Sequence, residues 1–332
     1  MHGVEVDSNG SVYVADTFNN RIQKFDNNGA FLTTWGSVGT GPGQFLHPHG
    51  IGIGPTGNLY VAETGNHRVQ KFTKDGVFLT MWGSFGDGDG QFRHNHGLAV
   101  DSTGNVFVSD RDQNRVQKFT SLGVFILDFG SSGTSDGQFA GPNGVAVDAD
   151  DNVFVADSSP RIQKFTNDGV FILSWGTAGN GDGQFDFPRG LASDQHGSLY
   201  VADRNLHRMQ IFKGDGIFIT KWGSFGTGIG EFNLPYAIRA GHHGDIFVAD
   251  SSNRRMQKFR LGPAGDLDDD GDVDNADWTT VAGCLNGPGV TAPPTGCGAL
   301  DFAGADIDDD GDVDLGDGAV FFANFTGSVP TP

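Results

Sequence analysis

The chain of 332 residues has two cysteines, four methionines and four tyrosines, and none of its 21 lysines and arginines lies beyond residue 263. No run of about 18 apolar residues occurs, so no segment reads as a membrane-spanning helix. Basic residues are outnumbered overall, giving a formal net charge of -20. That balance excludes a nucleic-acid partner, because phosphate binding draws on a basic surface. The deficit is uneven. Up to residue 263 the chain has 21 basic against 26 acidic residues, whereas the remainder has 15 acidic residues and no basic one. Both cysteines, Cys284 and Cys297, fall in that acidic remainder and enclose Pro288, Pro293 and Pro294. They read as one disulfide, with two unrelated thiols as the alternative. Closing so short a loop would remove ~3 kcal/mol of denatured-state entropy. A disulfide there implies an oxidising compartment, so the expected location is extracellular or at the cell surface.

What the sequence has in abundance is glycine, 53 residues, and a repeat. The acidic residues Asp16, Glu63, Asp110, Asp157, Asp203 and Asp250 are spaced 47, 47, 47, 46 and 47 apart, and Arg21, Arg68, Arg115, Arg161, Arg208 and Arg255 keep step. A period of that length marks a repeat architecture in which no copy can bury its apolar faces alone. In the second copy, alternating apolar residues and turn pairs predict strands over 50–54, 58–62, 68–73 and 77–82. Four antiparallel strands make one blade, and six copies predict an all-β, six-bladed β-propeller. The fourth strand, marked by Trp35, Trp82, Phe129, Trp175 and Trp222, occurs only five times. Met1 aligns with Pro48 of the next copy, so the chain is expected to begin inside a repeat, with residues upstream of Met1 supplying the outer strand of the last blade.

Residues 57–72 (GNLYVAETGNHRVQKF), 197–212 (GSLYVADRNLHRMQIF) and 244–259 (GDIFVADSSNRRMQKF) resemble the NHL-repeat family, and the resemblance covers roughly residues 1–262. It implies a six-bladed propeller, expected as a monomer. The fourth copy departs from the pattern at Ser158-Ser159-Pro160, which is one residue short. The Asp–Arg pairs recur six times, which points to ion pairs within blades rather than to catalysis. Gly39-Thr40-Gly41-Pro42-Gly43 has counterparts at 86–90 and 179–183, so it reads as a connection between blades and not as a phosphate-binding loop. Asp87 with Asp89 reads as a solvated turn, and His47 and His94 as surface residues.

Individual chemistry is expected where the copies differ. Just before the innermost strand stand His2, His49 and His96, then Asn143, Arg189 and Tyr236. Three imidazoles at one channel mouth are candidate Zn²⁺ ligands, with Arg189 and Tyr236 as candidates for polarising or protonating a substrate. The cluster resembles that of the peptidyl-hydroxyglycine amidating lyases, whose zinc histidines occupy Pro-His positions like Pro48-His49. In that family the ligands come from alternate blades, whereas here they come from three consecutive copies.

The acidic remainder has its own pattern. Asp266, Asp268, Asp270, Gly271, Asp272 and Asp277 fit the twelve-residue calcium loop, and Asp306, Asp308, Asp310, Gly311, Asp312 and Asp317 fit it again 40 residues later. Seven carboxylates in each loop repel one another without a cation, so Ca²⁺ at two sites is the expected cofactor and is expected to be needed for folding. The loops resemble a type I dockerin over 264–327, ahead of a short tail, 328–332. That resemblance implies a small α-helical domain with helices at 278–285 and 319–325, and a cohesin-type protein partner in an extracellular, often polysaccharide-degrading, assembly. Two functions are expected to compete. One is a secreted binding or scaffold protein whose propeller presents a face to a protein, peptide or glycan; the other is a metal-dependent propeller lyase or hydrolase.

Overall fold

The computed structural model describes residues 1–241 and 244–260, all strands and turns apart from one short 3-10 turn at Thr17–Asn19. The two calcium loops, the Cys284–Cys297 pairing and the dockerin-like segment lie outside the described residues. Six antiparallel sheets follow one another along the chain, five of four strands and a last one of three among the described residues. Their innermost strands are Gly3–Val6, Pro48–Ile53, Asn95–Val100, Pro142–Val147, Pro188–Ser193 and Ala237–Ala240. Each meets the next, and the sixth meets the first, which closes the ring. The sixth blade continues with Asp245–Asp250 and Arg255–Arg260, and no fourth strand is present there among the described residues.

The burial pattern explains the composition of each strand. Second strands such as Leu59–Glu63 and Val106–Asp110 are buried at every position, because both faces of the sheet are covered by neighbouring blades. Outer strands such as Phe78–Trp82 alternate between covered and exposed residues. The core lies between blades. Tyr13 and Ala15 of the first blade pack with Ile51, Leu59, Val61 and Phe72 of the second, and Trp35 covers them from outside. The same arrangement recurs at the next joint, with Tyr60, Leu98, Val106 and Phe119 under Trp82. Phe45, Phe92, Phe139, Phe185 and Phe232, one from each connection between blades, are fully buried.

The repeat signature fastens those connections. Glu63 accepts the Leu46 N–H at 3.1 Å and the Arg68 Nε–H at 2.7 Å, while Arg68 Nη2 donates to the carbonyls of Gly41 and Gln44 at 3.1 and 2.8 Å. Gln70 completes the latch by donating to Gln44 O at 2.7 Å and accepting the Gly43 N–H at 2.9 Å. The ion pair expected in every copy forms in five of the six. In the third, Arg115 turns to Asp128 at 2.8 Å, while Asp110 keeps the backbone contacts of an anchor, accepting the Arg93 and His94 N–H groups. Asp87 is bound by Arg93 and Gln113 across its exposed turn.

Around the axis the inner strands approach so closely that side chains are excluded. A Cβ on Gly3, Gly50, Gly97 or Gly144 would fall within 3.0 Å of the backbone carbonyl of His49, His96, Asn143 or Arg189 in the following blade. At Gly190 it would strike the backbone at Ala237. Replacing Gly144 with Ala is therefore expected to lower stability by about 1–3 kcal/mol, since backbone on both sides limits relaxation. Urea unfolding of Gly144→Ala would measure this, and a loss of under a few tenths would show that the strands can part.

Candidate functional site

The close approach of the inner strands decides where the variable side chains go. Each axial glycine follows one of His2, His49, His96, Asn143, Arg189 and Tyr236, so these residues enter their strands at the same narrow end of the channel. Pro48, Pro142 and Pro188 open three of those strands, where a missing N–H disrupts no ladder. Although the histidines come from three consecutive blades, they meet. His2 Nδ1 lies 3.4 Å from His49 Nε2, and the His49 and His96 rings are 4.9 Å apart. Tyr236 reaches across the channel, its hydroxyl 2.7 Å from His96 Nε2 and 3.2 Å from His49 Nδ1. Arg189 Nη2 is 2.7 Å from His96 Nε2 and also bonds the Tyr236 hydroxyl. The His2 ring stacks on Tyr236 with centroids 3.8 Å apart, and the Arg189 guanidinium lies 3.8 Å over the Tyr236 ring. Asn143 stands apart from this cluster. Its amide donates to Gly141 O and to Ser158 Oγ, and it is fully buried.

The contacts assign the protons. Arg189 Nη2 has two hydrogens and no lone pair, so it donates to His96 Nε2 and to the Tyr236 oxygen. The Tyr236 hydrogen then goes to His49 Nδ1, because His96 Nε2 is already occupied. His49 must hold its own hydrogen on Nε2, which it donates to His2 Nδ1. The result is a hydrogen-bond chain with one direction, from the Arg189 cation through neutral Tyr236 and His49 to His2. Burial above all holds the imidazoles neutral, lowering His2 to about 3 and His49 to about 2, and His96 well below its ordinary value. Burial likewise lowers Arg189 to about 10 and raises Tyr236 to about 12.

This arrangement does not fit a zinc ion. The lone pairs that would bind a metal are directed to hydrogens of Arg189, Tyr236 and His49, and a guanidinium sits against His96 Nε2. Among the described residues no set of three His, Cys, Asp or Glu side chains is disposed to hold a metal. The expected zinc triad is thus a hydrogen-bonded cluster, because Arg189 is drawn into the centre rather than kept beside it. The mouth itself is small, about 60 Å³, and is lined by His2, His49, His96, Arg189 and Tyr236 together with glycines and apolar residues of the inner strands; Asn143 is not part of its lining.

Comparison across the copies one position further would have found two more residues. The residue after each acidic anchor is Thr17, Thr64, Arg111, Ser158, Arg204 and Ser251, and the two arginines stand out. Arg204 accompanies Phe187, whose carbonyl accepts the Arg204 N–H at 3.1 Å. Phe187 has φ of 116°, a strained value for a bulky residue. The guanidiniums of Arg111 and Arg189 lie 5.9 and 5.5 Å from its ring. His47 is exposed as expected, whereas His94 is only partly exposed and lies 3.7 Å from Asp112.

A closed ring of six four-stranded units, the last of three strands among the described residues, defines a six-bladed β-propeller. The chain carries NHL repeats: the NHL repeat family matches residues 2–25, 45–72, 92–119 and 185–212. No curated protein matches this sequence. Among solved structures it is similar to a structural-genomics protein of unknown function from Bacteroides thetaiotaomicron, with 20% identity, TM-score 0.62 and coverage of 78% of this chain and 69% of that one. Virginiamycin B lyase from Staphylococcus aureus is 14% identical, with TM-score 0.53 and coverage of 78% and 84%. An auxiliary nutrient binding protein from Bacteroides thetaiotaomicron is 13% identical, with TM-score 0.56 and coverage of 77% and 67%. At these identities the similarity is one of fold.

The neutral imidazoles set a pH dependence. A histidine whose folded pKa lies below its unfolded value contributes its full stability above about pH 6.5 and loses it as pH falls toward the folded value. His49 faces His2, His47, His94, Arg189 and Tyr236, none of which is an acid that would offset its protonation. Stability should therefore fall below pH 6.5 by up to about 1.4 kcal/mol per pH unit for each such group. Thermal unfolding of His49→Gln between pH 6.5 and 4 is expected to show a shallower fall than the parent; an unchanged slope would count against the neutral chain.

Proposed function

We propose that the propeller is a ligand-binding module whose site is the channel mouth formed by His2, His49, His96, Arg189 and Tyr236. The observation that carries this reading is a cluster of polar side chains, largely withdrawn from water, at the place where the sixfold pattern breaks. Such a network contributes little to folding compared with apolar residues of similar size, which argues that it is kept for another purpose. The similarity to an auxiliary nutrient binding protein is consistent with it. Replacing His96, Arg189 and Tyr236 together by Leu, Met and Phe is then expected to raise the melting temperature by several degrees, corresponding to about 1–4 kcal/mol. A marked fall in differential scanning calorimetry would instead make the cluster a structural pillar.

The second reading is a lyase or hydrolase, favoured by the imidazoles beside a phenol and by the similarity to virginiamycin B lyase. Imidazoles held neutral to about pH 3 are weak bases, so they suit hydrogen bonding better than proton abstraction. Turnover of virginiamycin B by this protein, lost in His49→Ala, would replace binding with catalysis.

The acidic C-terminal sequence suggests how the module is attached. Its two loops, starting at Asp266 and Asp306, carry oxygen ligands in calcium register, and Cys284 with Cys297 suits an extracellular or cell-surface setting. In this proposal the loops bind Ca²⁺ and present a surface to a cohesin-type partner, with the propeller as cargo or scaffold. Calorimetric titration of the full chain should give two Ca²⁺ per molecule. Asp268→Ala with Asp308→Ala should abolish that uptake, and retention of both ions by the double variant would sink the assignment.

A further inference from the structure

We propose that the mouth captures the oxyanion head, carboxylate or phosphate, of a small ligand, with Arg189 lining the mouth and Arg111 and Arg204 beside it around Phe187. The proposal rests on the reading of the mouth as a binding site and names what it binds.

Three observations converge on it. The first concerns charge. The third-strand arginines Arg21, Arg68, Arg161, Arg208 and Arg255 each meet a carboxylate of their own blade, and Arg115 meets Asp128. Arg111, Arg189 and Arg204 form no ion pair among the described residues, although the repeat region has an acidic excess. The three residues gather around Phe187: the guanidiniums of Arg111 and Arg189 lie 5.9 and 5.5 Å from its ring centroid, and the Arg204 N–H bonds its carbonyl at 3.1 Å. No carboxylate among the described residues is within ion-pair distance of the three, and an anion beside them would lower their mutual repulsion.

The second observation is that the unused hydrogen-bonding groups here are donors. Arg189 Nε and Arg204 Nε are buried and have no acceptor. Along the proton chain, His2 Nε2–H and His96 Nδ1–H are the ring hydrogens left over, and no protein acceptor for them is found among the described residues. A site with four spare donors and no spare carboxylate is matched to an acceptor-only group such as a carboxylate or phosphate oxygen.

The third is size. The channel cavity, about 60 Å³, is lined by His2, His49, His96, Arg189 and Tyr236, with Arg111 and Arg204 outside its lining, so it takes only a small group. That admits one carboxylate or phosphate head and leaves the rest of the ligand on the rim, where Phe187 and the exposed Phe18 offer apolar surface. The strain at Phe187 has a use in this arrangement, since its ring lies against the guanidiniums of Arg111 and Arg189.

The test is calorimetric titration of the full chain with succinate, inorganic phosphate and the neutral analogue succinamide, at low and high salt. The expected result is saturable binding of succinate or phosphate at one site, weakened by salt, with no binding of succinamide. Arg111→Gln and Arg204→Gln should each weaken it at least tenfold while leaving the melting temperature within a few degrees of the parent. The anion that binds more tightly identifies the head group. Binding of neither anion, or binding that persists in both variants, overturns the proposal. Succinamide binding that depends on Tyr236 would keep the mouth as the site while discarding the anion. A fall in stability of the triple variant His96→Leu, Arg189→Met, Tyr236→Phe would discard the mouth reading itself.

Discussion

The whole ring depends on how near two strands can come at its axis. Glycines at five of the six innermost positions let each strand lie against the carbonyl of its neighbour, and Ala237 takes the sixth place, packing with Val4 and Phe247. Wider spacing would leave a channel that water fills and would separate the side chains at its entrance. Narrow spacing forces those side chains together, so packing at the axis and the polar cluster at the mouth arise from the same absent methyl groups. That is why residues 47 and 140 positions apart in the chain share hydrogen bonds.

Outside the axis, the repeated polar residues work on backbone. Glu63, Arg68 and Gln70 take up the N–H and C=O groups of the segment arriving from the preceding blade, which otherwise would be partly buried without partners. Repetition is the natural consequence, since every joint has the same groups to satisfy. The third blade shows that the network tolerates rearrangement, because Asp110 keeps its backbone duties when Arg115 finds another acid.

The number and order of strands were legible in the sequence because apolar alternation and period are properties of the blade itself. So was the mouth, since a position that changes from His to Asn, Arg and Tyr in an otherwise uniform repeat has a local reason to differ. What the spacing could not reveal was the relation between those side chains. Ligation of zinc and mutual hydrogen bonding require the same residues at the same end of a channel, and they differ by a rotation of rings and by whether Arg189 reaches the centre. Arg111 and Arg204 are hidden in the sequence for another reason. They follow the acidic anchors and so sit in the shadow of a strongly repeated residue, and their lack of an acidic partner is visible only in three dimensions.

The arginine latches have a direction. In the second to sixth blades the third-strand arginine holds carbonyls of the loop that comes from the blade before it, as Arg68 holds 40–44 and Arg208 holds 180–184, while Asn20, Asn114 and His207 take one N–H each from the segment that leaves toward the next blade. A blade emerging from the ribosome therefore finds the parts it must grip already made, and every joint can be locked in the order of synthesis. Only the contact between the first and last blades has to wait for the entire ring. The arginine latches thus suit joints made in the order of synthesis, with a single long-range closure between the first and last blades left to the end.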